Sequence, residues 1–128
     1  MSPGLPRTPR ADPGMAVHLY ASDGRWIAWY RPGLPYVWST RDRWIGWFPW
    51  SHEASPEPRD DVLDPDDTYL GTIVGDRLFA RTARRPRPIP RRVAEPQRPV
   101  GPPDVDRAQA VPPPIGFTDV ELHRLFGD

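Results

Sequence analysis

The side chains that most often carry chemistry are few in this chain and poorly spaced for it. The three histidines, His18, His52 and His123, are scattered, with no HxxxH or HExxH spacing. Cysteine is absent, which removes thiolate metal sites, disulfides and a Cys nucleophile. Ser51-His52-Glu53 sets a hydroxyl, an imidazole and a carboxylate in a row. Catalytic triads are assembled from separate elements, and sequence neighbours seldom reach that geometry. The acidic stretch Glu53 to Asp67 contains Asp64-x-Asp66-Asp67, but it lacks the third ligand, the glycine and the distal glutamate of a calcium loop. It reads as a turn and a solvated loop. No glycine-rich phosphate loop is present. The expectation is no catalytic residue, no metal site and no cofactor, in a chain that is not an enzyme.

What remains is the chemistry of recognition. All six tryptophans fall within residues 26–50. Trp26, Trp44 and Trp50 are candidates for an aromatic face that stacks on a sugar ring, a cationic headgroup or a base. The favoured expectation is that the tryptophans are core and interface, because each supplies a large apolar area. Trp50 lies beyond the patterned region, beside Pro49, and is expected to be the exposed ring. All 17 basic residues are arginine. Arg84, Arg85, Arg87, Arg91 and Arg92 cluster where they would contact phosphate or an acidic surface. The lack of Lys and Asn is the residue usage of GC-rich coding, so nucleic acid is a disfavoured partner.

Charge is blocked along the chain: net +3 over 1–50, −7 over 51–76, +7 over 77–100 and −3 over 101–128. The +7 block can attract an external anion or fold back on the acidic block of its own chain. Proline is blocked too. Of 20 prolines, four lie in 3–13 and ten in 86–114, where helix and central strand are ruled out because Pro lacks the amide donor and fixes φ. That leaves roughly 70 residues for a core, a size at which burial barely exceeds conformational entropy. Self-association is therefore a candidate source of stability. No apolar run approaches the roughly 20 residues of a membrane span, and residues 1–14 carry no signal-peptide core. No membrane association and a cytoplasmic location are expected.

The elements that must position these residues repeat. Leu19–Tyr30 (LYASDGRWIAWY) aligns with Val37–Phe48 (VWSTRDRWIGWF) at an offset of 18. Val62–Ile73 (VLDPDDTYLGTI) follows at a further offset of 25, and a fragment begins at Leu78–Phe79. Each unit predicts a β-hairpin: a short aromatic or β-branched strand, a polar turn tolerant of positive φ, and a returning Trp/Ile strand. The fold class expected is all-β, with three to four up-and-down antiparallel hairpins, seven or eight short strands in all, about a pseudo-symmetry axis. The returning strands are apolar on both faces, so both should meet something apolar. Ala28, Gly46 and Gly71 occupy one repeat position and should mark close backbone approach.

The units DGRWIAW, RDRWIGW and DDTYLGT resemble those of bacterial four-fold β-flower proteins. The ending YLGTIVGDRLFARTARRPRPIPRR and the later PPPIGFTDV are similar to that group as well. The resemblance covers about residues 17–92 and 112–120. It implies four β-hairpins around a pseudo-four-fold axis, and no activity. Thr72 stands where the first two units have Trp.

The expected organisation is a disordered segment over 1–14, a hairpin domain over 15–85, a Pro/Arg-rich extended linker over 86–115 and a short helical motif over 116–128. Thr118 and Glu121 fit a capping box at the start of that helix. Phe117, Val120, Leu122, Leu125 and Phe126 supply its apolar stripe. Two turns of helix are unstable alone, so the motif docks either on its own domain or on a partner. The leading functional expectation is a non-catalytic binding or assembly module: the hairpin domain self-associates or holds a protein partner, and the tail carries a docking motif. The alternatives are a nucleic-acid accessory protein acting through the Arg cluster, and a carbohydrate or small-ligand binder acting through a Trp face.

Overall fold

The computed structural model describes residues 15–50, 61–83, 88–89 and 93–126. Eight strands follow in chain order: β1 Val17–Tyr20, β2 Trp26–Tyr30, β3 Tyr36–Ser39, β4 Trp44–Trp47, β5 Asp61–Leu63, β6 Tyr69–Val74, β7 Arg77–Arg81 and β8 Phe117–Asp119. One short helix, α1, spans Leu122–Phe126. The strands lie in one sheet in sequence order, each antiparallel to the next, as expected for an up-and-down all-β fold. A parallel bridge between Tyr20 and Arg77 joins β1 to β7 and closes seven strands into a barrel.

The hairpin register follows the repeat. Tyr20 pairs with Trp26, Trp38 with Trp44, and Leu63 with Tyr69. A β-bulge follows in each case, and then Leu19 pairs with Ala28, Val37 with Gly46, and Val62 with Gly71. The turns match as well. Gly24, Asp42 and Asp67 all have positive φ, of 91°, 59° and 67°. Their amides donate to Ala21, Ser39 and Asp64, whose own amides donate to Arg25, Arg43 and Thr68. Asp is among the few side chains that tolerate this left-handed conformation, which is why DG, RD and DD serve one turn.

Leu19, Val37 and Val62 are fully buried, with Ile27, Ala28, Ile45, Leu70, Ile73 and Leu78, in the central core. The small residues opposite them are a steric requirement. A Cβ on Gly46 would stand 2.5 Å from Val62 Cγ1 and 2.9 Å from the Leu63 carbonyl oxygen. A Cβ on Gly71 would stand 2.8 Å from the Phe79 carbonyl oxygen. The next hairpin sits that close because the sheet curls sharply, helped by the bulges.

The outer face of the returning strands is aromatic and covered. Trp29 stacks on Trp38 at 6.0 Å and 25°, and Arg31 lies over Trp29 at 4.8 Å. Trp47, Trp50 and Leu63 form a second cluster with Trp44, Tyr69 and Val93. In the third unit, Thr72 replaces a Trp and is fully buried; its hydroxyl donates to Asp61 at 2.7 Å and meets Tyr69 Oη at 2.6 Å. A polar contact thus stands where the first unit stacks Trp29 on Trp38 and the second packs Trp47 with Trp50 and Leu63.

The C-terminal part differs from the helical expectation. Phe117–Asp119 is strand β8, paired with β7 through Arg81↔Phe117, Ala80↔Thr118 and Phe79↔Asp119. The open edge of β7 offers backbone partners that a two-turn helix would forgo, so the capping box at Thr118 does not form and the helix shortens to five residues. Residues 93–115 have no regular secondary structure, yet they lie along the barrel and do not project from it.

The close approach at Gly71 yields a measurable cost. Gly71→Ala should destabilise by about 1–3 kcal/mol, because a backbone carbonyl cannot swing aside as a side chain can. The urea midpoint at an unchanged m-value reads this out, with Ala28→Gly as the milder comparison at about 1 kcal/mol or less.

Candidate functional site

Two surfaces emerge, a wall and a mouth. The wall is the outside of the barrel, along which residues 88–89 and 93–111 run as a strap. Along most of it the barrel side chains donate and the strap carbonyl oxygens accept, and near the first turn the strap donates in return. Trp50 Nε1 donates to Pro88 at 3.1 Å, Tyr36 Oη to Ala94 at 2.9 Å, and Arg31 Nη2 to Val100 at 2.6 Å. Arg77 is 5% exposed and each of its three nitrogens donates: Nε to Asp76, Nη1 to the Ala21 carbonyl at 2.9 Å, and Nη2 to the Gln109 carbonyl at 2.6 Å. The Ala108 amide donates to Gly24 and the Val111 amide to Ser22. The strap crosses Gly24 so closely that a Cβ there would collide with the Ala108 carbonyl. Arg107 pairs with Asp23 at 3.5 Å. The Asp23 carboxyl is held below its usual range, first by the Arg25 amide and then by Arg107.

Prolines suit this arrangement. They lack a donor, so their segment presents mainly carbonyls, and the wall answers with side-chain N–H and O–H groups. Open clefts remain between strap and turns. One, of about 320 Å³, is lined by Arg25, Trp26, Thr40, Asp104, Val105 and Arg107. Another, of about 350 Å³, is lined by Trp38, Arg41, Asp42, Arg43, Trp44, Glu95, Pro96 and Arg98.

The mouth is the barrel end that carries the three hairpin turns. Val120 (4% exposed) and Leu125 (fully buried) enter the central core there. Arg124 donates to the Tyr69 carbonyl at 2.8 Å and to Asp64 Oδ2 at 3.0 Å. Phe126 lies under Arg25 at 5.2 Å and Arg41 at 5.1 Å. Asp119 accepts from the Ser22 amide at 2.8 Å and from the Ser22 hydroxyl at 2.5 Å.

The expected site residues therefore separate. Of the tail motif, Val120 and Leu125 are spent in the chain's own core, Phe117 lies under Arg81 at 5.2 Å, Phe126 is half-buried, and Leu122 is exposed. The self-docking alternative is the one this geometry realises. Trp26 and Trp44 are half-buried, and their Nε1 groups donate within their own units to Ala28 and Gly46. The expectation of an exposed Trp50 ring is corrected: Trp50 is 9% exposed, because Val93 and Pro88 of the strap pack and hydrogen-bond over it. Arg84, Arg85, Arg87, Arg91 and Arg92 lie outside the described residues, as does His52. His123 is exposed, 3.8 Å from Glu121, while His18 tilts against Trp26 at 5.2 Å. No three His, Asp or Glu side chains converge among the described residues. No helix among them is long and apolar enough to cross a membrane.

Several residues of both surfaces escaped the sequence reading: Ser22, Arg31, Tyr36, Asp64, Arg77 and Arg124. Asp64 carried a faint signal, as the first residue of a repeat turn. Arg77 carried none, since it stands in a run of arginines.

Two measurements follow. Leu125→Ala should cost about 2–5 kcal/mol of stability and Leu122→Ala less than about 0.5 kcal/mol, by chemical denaturation of each variant. His18 has its pKa lowered from 6.5 by burial, and its Nε2 is buried with no hydrogen-bond partner among the described residues. The unfolded chain therefore takes up that proton first. The stability linked to His18 is complete above pH 6.5 and is lost as pH falls through 6.5 toward the lower folded value. Melting temperatures between pH 8 and pH 5.5 should show this slope reduced in His18→Gln.

Comparison with protein-family models, with curated proteins and with solved structures finds no match to this chain.

Proposed function

We propose that this chain is a non-catalytic binding and assembly module whose barrel wall holds an extended, Pro-rich segment of protein. One observation carries the reading. Four side chains of the wall, Arg31, Tyr36, Trp50 and Arg77, each donate to a main-chain carbonyl of the strap. Such contacts recognise an extended backbone rich in unpaired carbonyls, which is how aromatic-lined grooves take proline-rich ligands. From Val93 to Asp119 no strap residue is fully buried, so the segment is held by polar contacts and little apolar area. A competing chain of the same chemistry can displace it at low cost.

A second reading has one feature in its favour. In the cleft between the second turn and the strap, Arg43 and Arg98 stand beside Trp44, and neither forms an ion pair among the described residues. That suits a small anionic ligand with a flat face. The nucleic-acid reading draws on arginines outside the described residues and gains nothing here.

Panning a displayed library of proline-rich and proline-free peptides on the full chain tests the first reading. The expected result is enrichment of proline-rich sequences, with affinity falling roughly fivefold in Tyr36→Phe, the value of one hydrogen bond of about 1 kcal/mol. Enrichment without proline bias, or indifference to Tyr36→Phe, would sink it.

A further inference from the structure

We propose that the terminal segment Phe117–Phe126 exchanges between two copies of this chain, each seating its β8 and α1 on the β7 edge and in the barrel mouth of the other. This rests on the assembly half of the reading above, and its cross-linking readout is separate from peptide binding by the wall, so the failure of either is distinguishable.

The fourth hairpin is built unlike the first three. Theirs close through the tight turns Ala21–Arg25, Ser39–Arg43 and Asp64–Thr68. β7 and β8 are joined instead by the 35 residues from Thr82 to Gly116. The two ends of this tether meet: the Thr82 amide donates to the Gly116 carbonyl at 2.9 Å. A few residues would have bridged the same gap. Lengthening a closing loop this much costs about 2 kcal/mol of extra closure entropy. Ten prolines in the tether add to that, because a stiff chain resists returning to its origin. Released from the wall and fully extended, the tether reaches about 115 Å, several times the width of such a barrel.

The seat for the segment is specific and fits any copy of the chain. β7 pairs with β1 only at Arg77, so its edge from Phe79 to Arg81 is available to β8. Val120 and Leu125 fill apolar sockets in the core. Ser22 grips Asp119, and Asp64 grips Arg124. A barrel whose tail has left therefore carries an unpaired strand edge and two holes, which only the same sequence fills well. Reciprocal exchange closes a two-fold dimer in which each seat is occupied, with no new interface needed. The occupant is a second copy because edge register, sockets and ionic grips are all complementary to this segment.

The chain has no cysteine, so introduced thiols report without background. Ala80 and Thr118 are direct cross-strand partners, close enough for a disulfide. The double variant Ala80→Cys/Thr118→Cys, full-length and dilute, should oxidise within one chain; failure to do so would overturn the seat itself. The full-length single variants Ala80→Cys and Thr118→Cys are then mixed at rising concentration in a glutathione redox buffer. Peptide mapping without reduction should find the 80–118 cross-link between chains, several-fold above the pairing of Ala80→Cys with Leu34→Cys on an exposed turn. A yield no greater than that control at every concentration would overturn the exchange.

Discussion

The constraint on which the rest of the structure depends is the distance of closest approach at Ala28, Gly46 and Gly71. Strands that are apolar on both faces cannot lie flat against water, so the sheet has to curl until its inner residues meet. Curling a sheet of such short strands brings backbone against backbone. At Gly46 the next strand lies 2.9 Å from where a Cβ would stand, and at Gly71 it lies 2.8 Å away. The bulges at Leu19/Tyr20, Val37/Trp38 and Val62/Leu63 supply the local twist that this curvature needs. Once the inner ring is that tight, the large rings have nowhere to go but outward. An outward tryptophan needs a cover, and the strap, with Arg31 stacked on Trp29, provides it.

That cover is bought with hydrogen bonds more than with apolar burial. The strap contributes carbonyls, and the barrel contributes indole, phenol and guanidinium donors. Arg77 shows how far this goes. It is almost wholly buried and remains affordable in energetic terms because Asp76 and two main-chain carbonyls take its donors. It binds the first turn to the strap, and its guanidinium lies over the Tyr20 ring at 5.6 Å. By contrast, Trp47 Nε1 is buried with no partner among the described residues, whereas Trp29, its counterpart one unit earlier, donates to Ser39 at 3.0 Å. The units are equivalent in backbone and unequal in side-chain satisfaction.

Much of the barrel was legible in the sequence because its signals are local. The offset of 18 between Trp26 and Trp44, the turn chemistry of Gly24, Asp42 and Asp67, and the small residue at 28, 46 and 71 each report a constraint set by residues a few positions away. The fate of the tail was not legible, because it depends on contacts distant in sequence. Thr118 and Glu121 spell a helix start by themselves. They yield to a strand only because β7, reached through the long tether, has an edge to fill. Trp50 reads as exposed beside a proline, and nothing within its own neighbourhood announces that Pro88 and Val93 will cover it. The site residues divide in the same way. Val120 and Leu125 were recognised as a docking stripe from their spacing, while their receptor, formed by three turns and one strand edge, had no contiguous signature.

The meeting of Thr82 with Gly116 has a consequence for the architecture as a host. Strand order around the barrel is the order of the chain, so the long connection alters no pairing. Its ends are fixed next to one another whatever lies between them. Doubling its length would add only about 0.6 kcal/mol of closure entropy. This corner is therefore the natural port of the fold, where a whole further unit can be carried without disturbing the barrel.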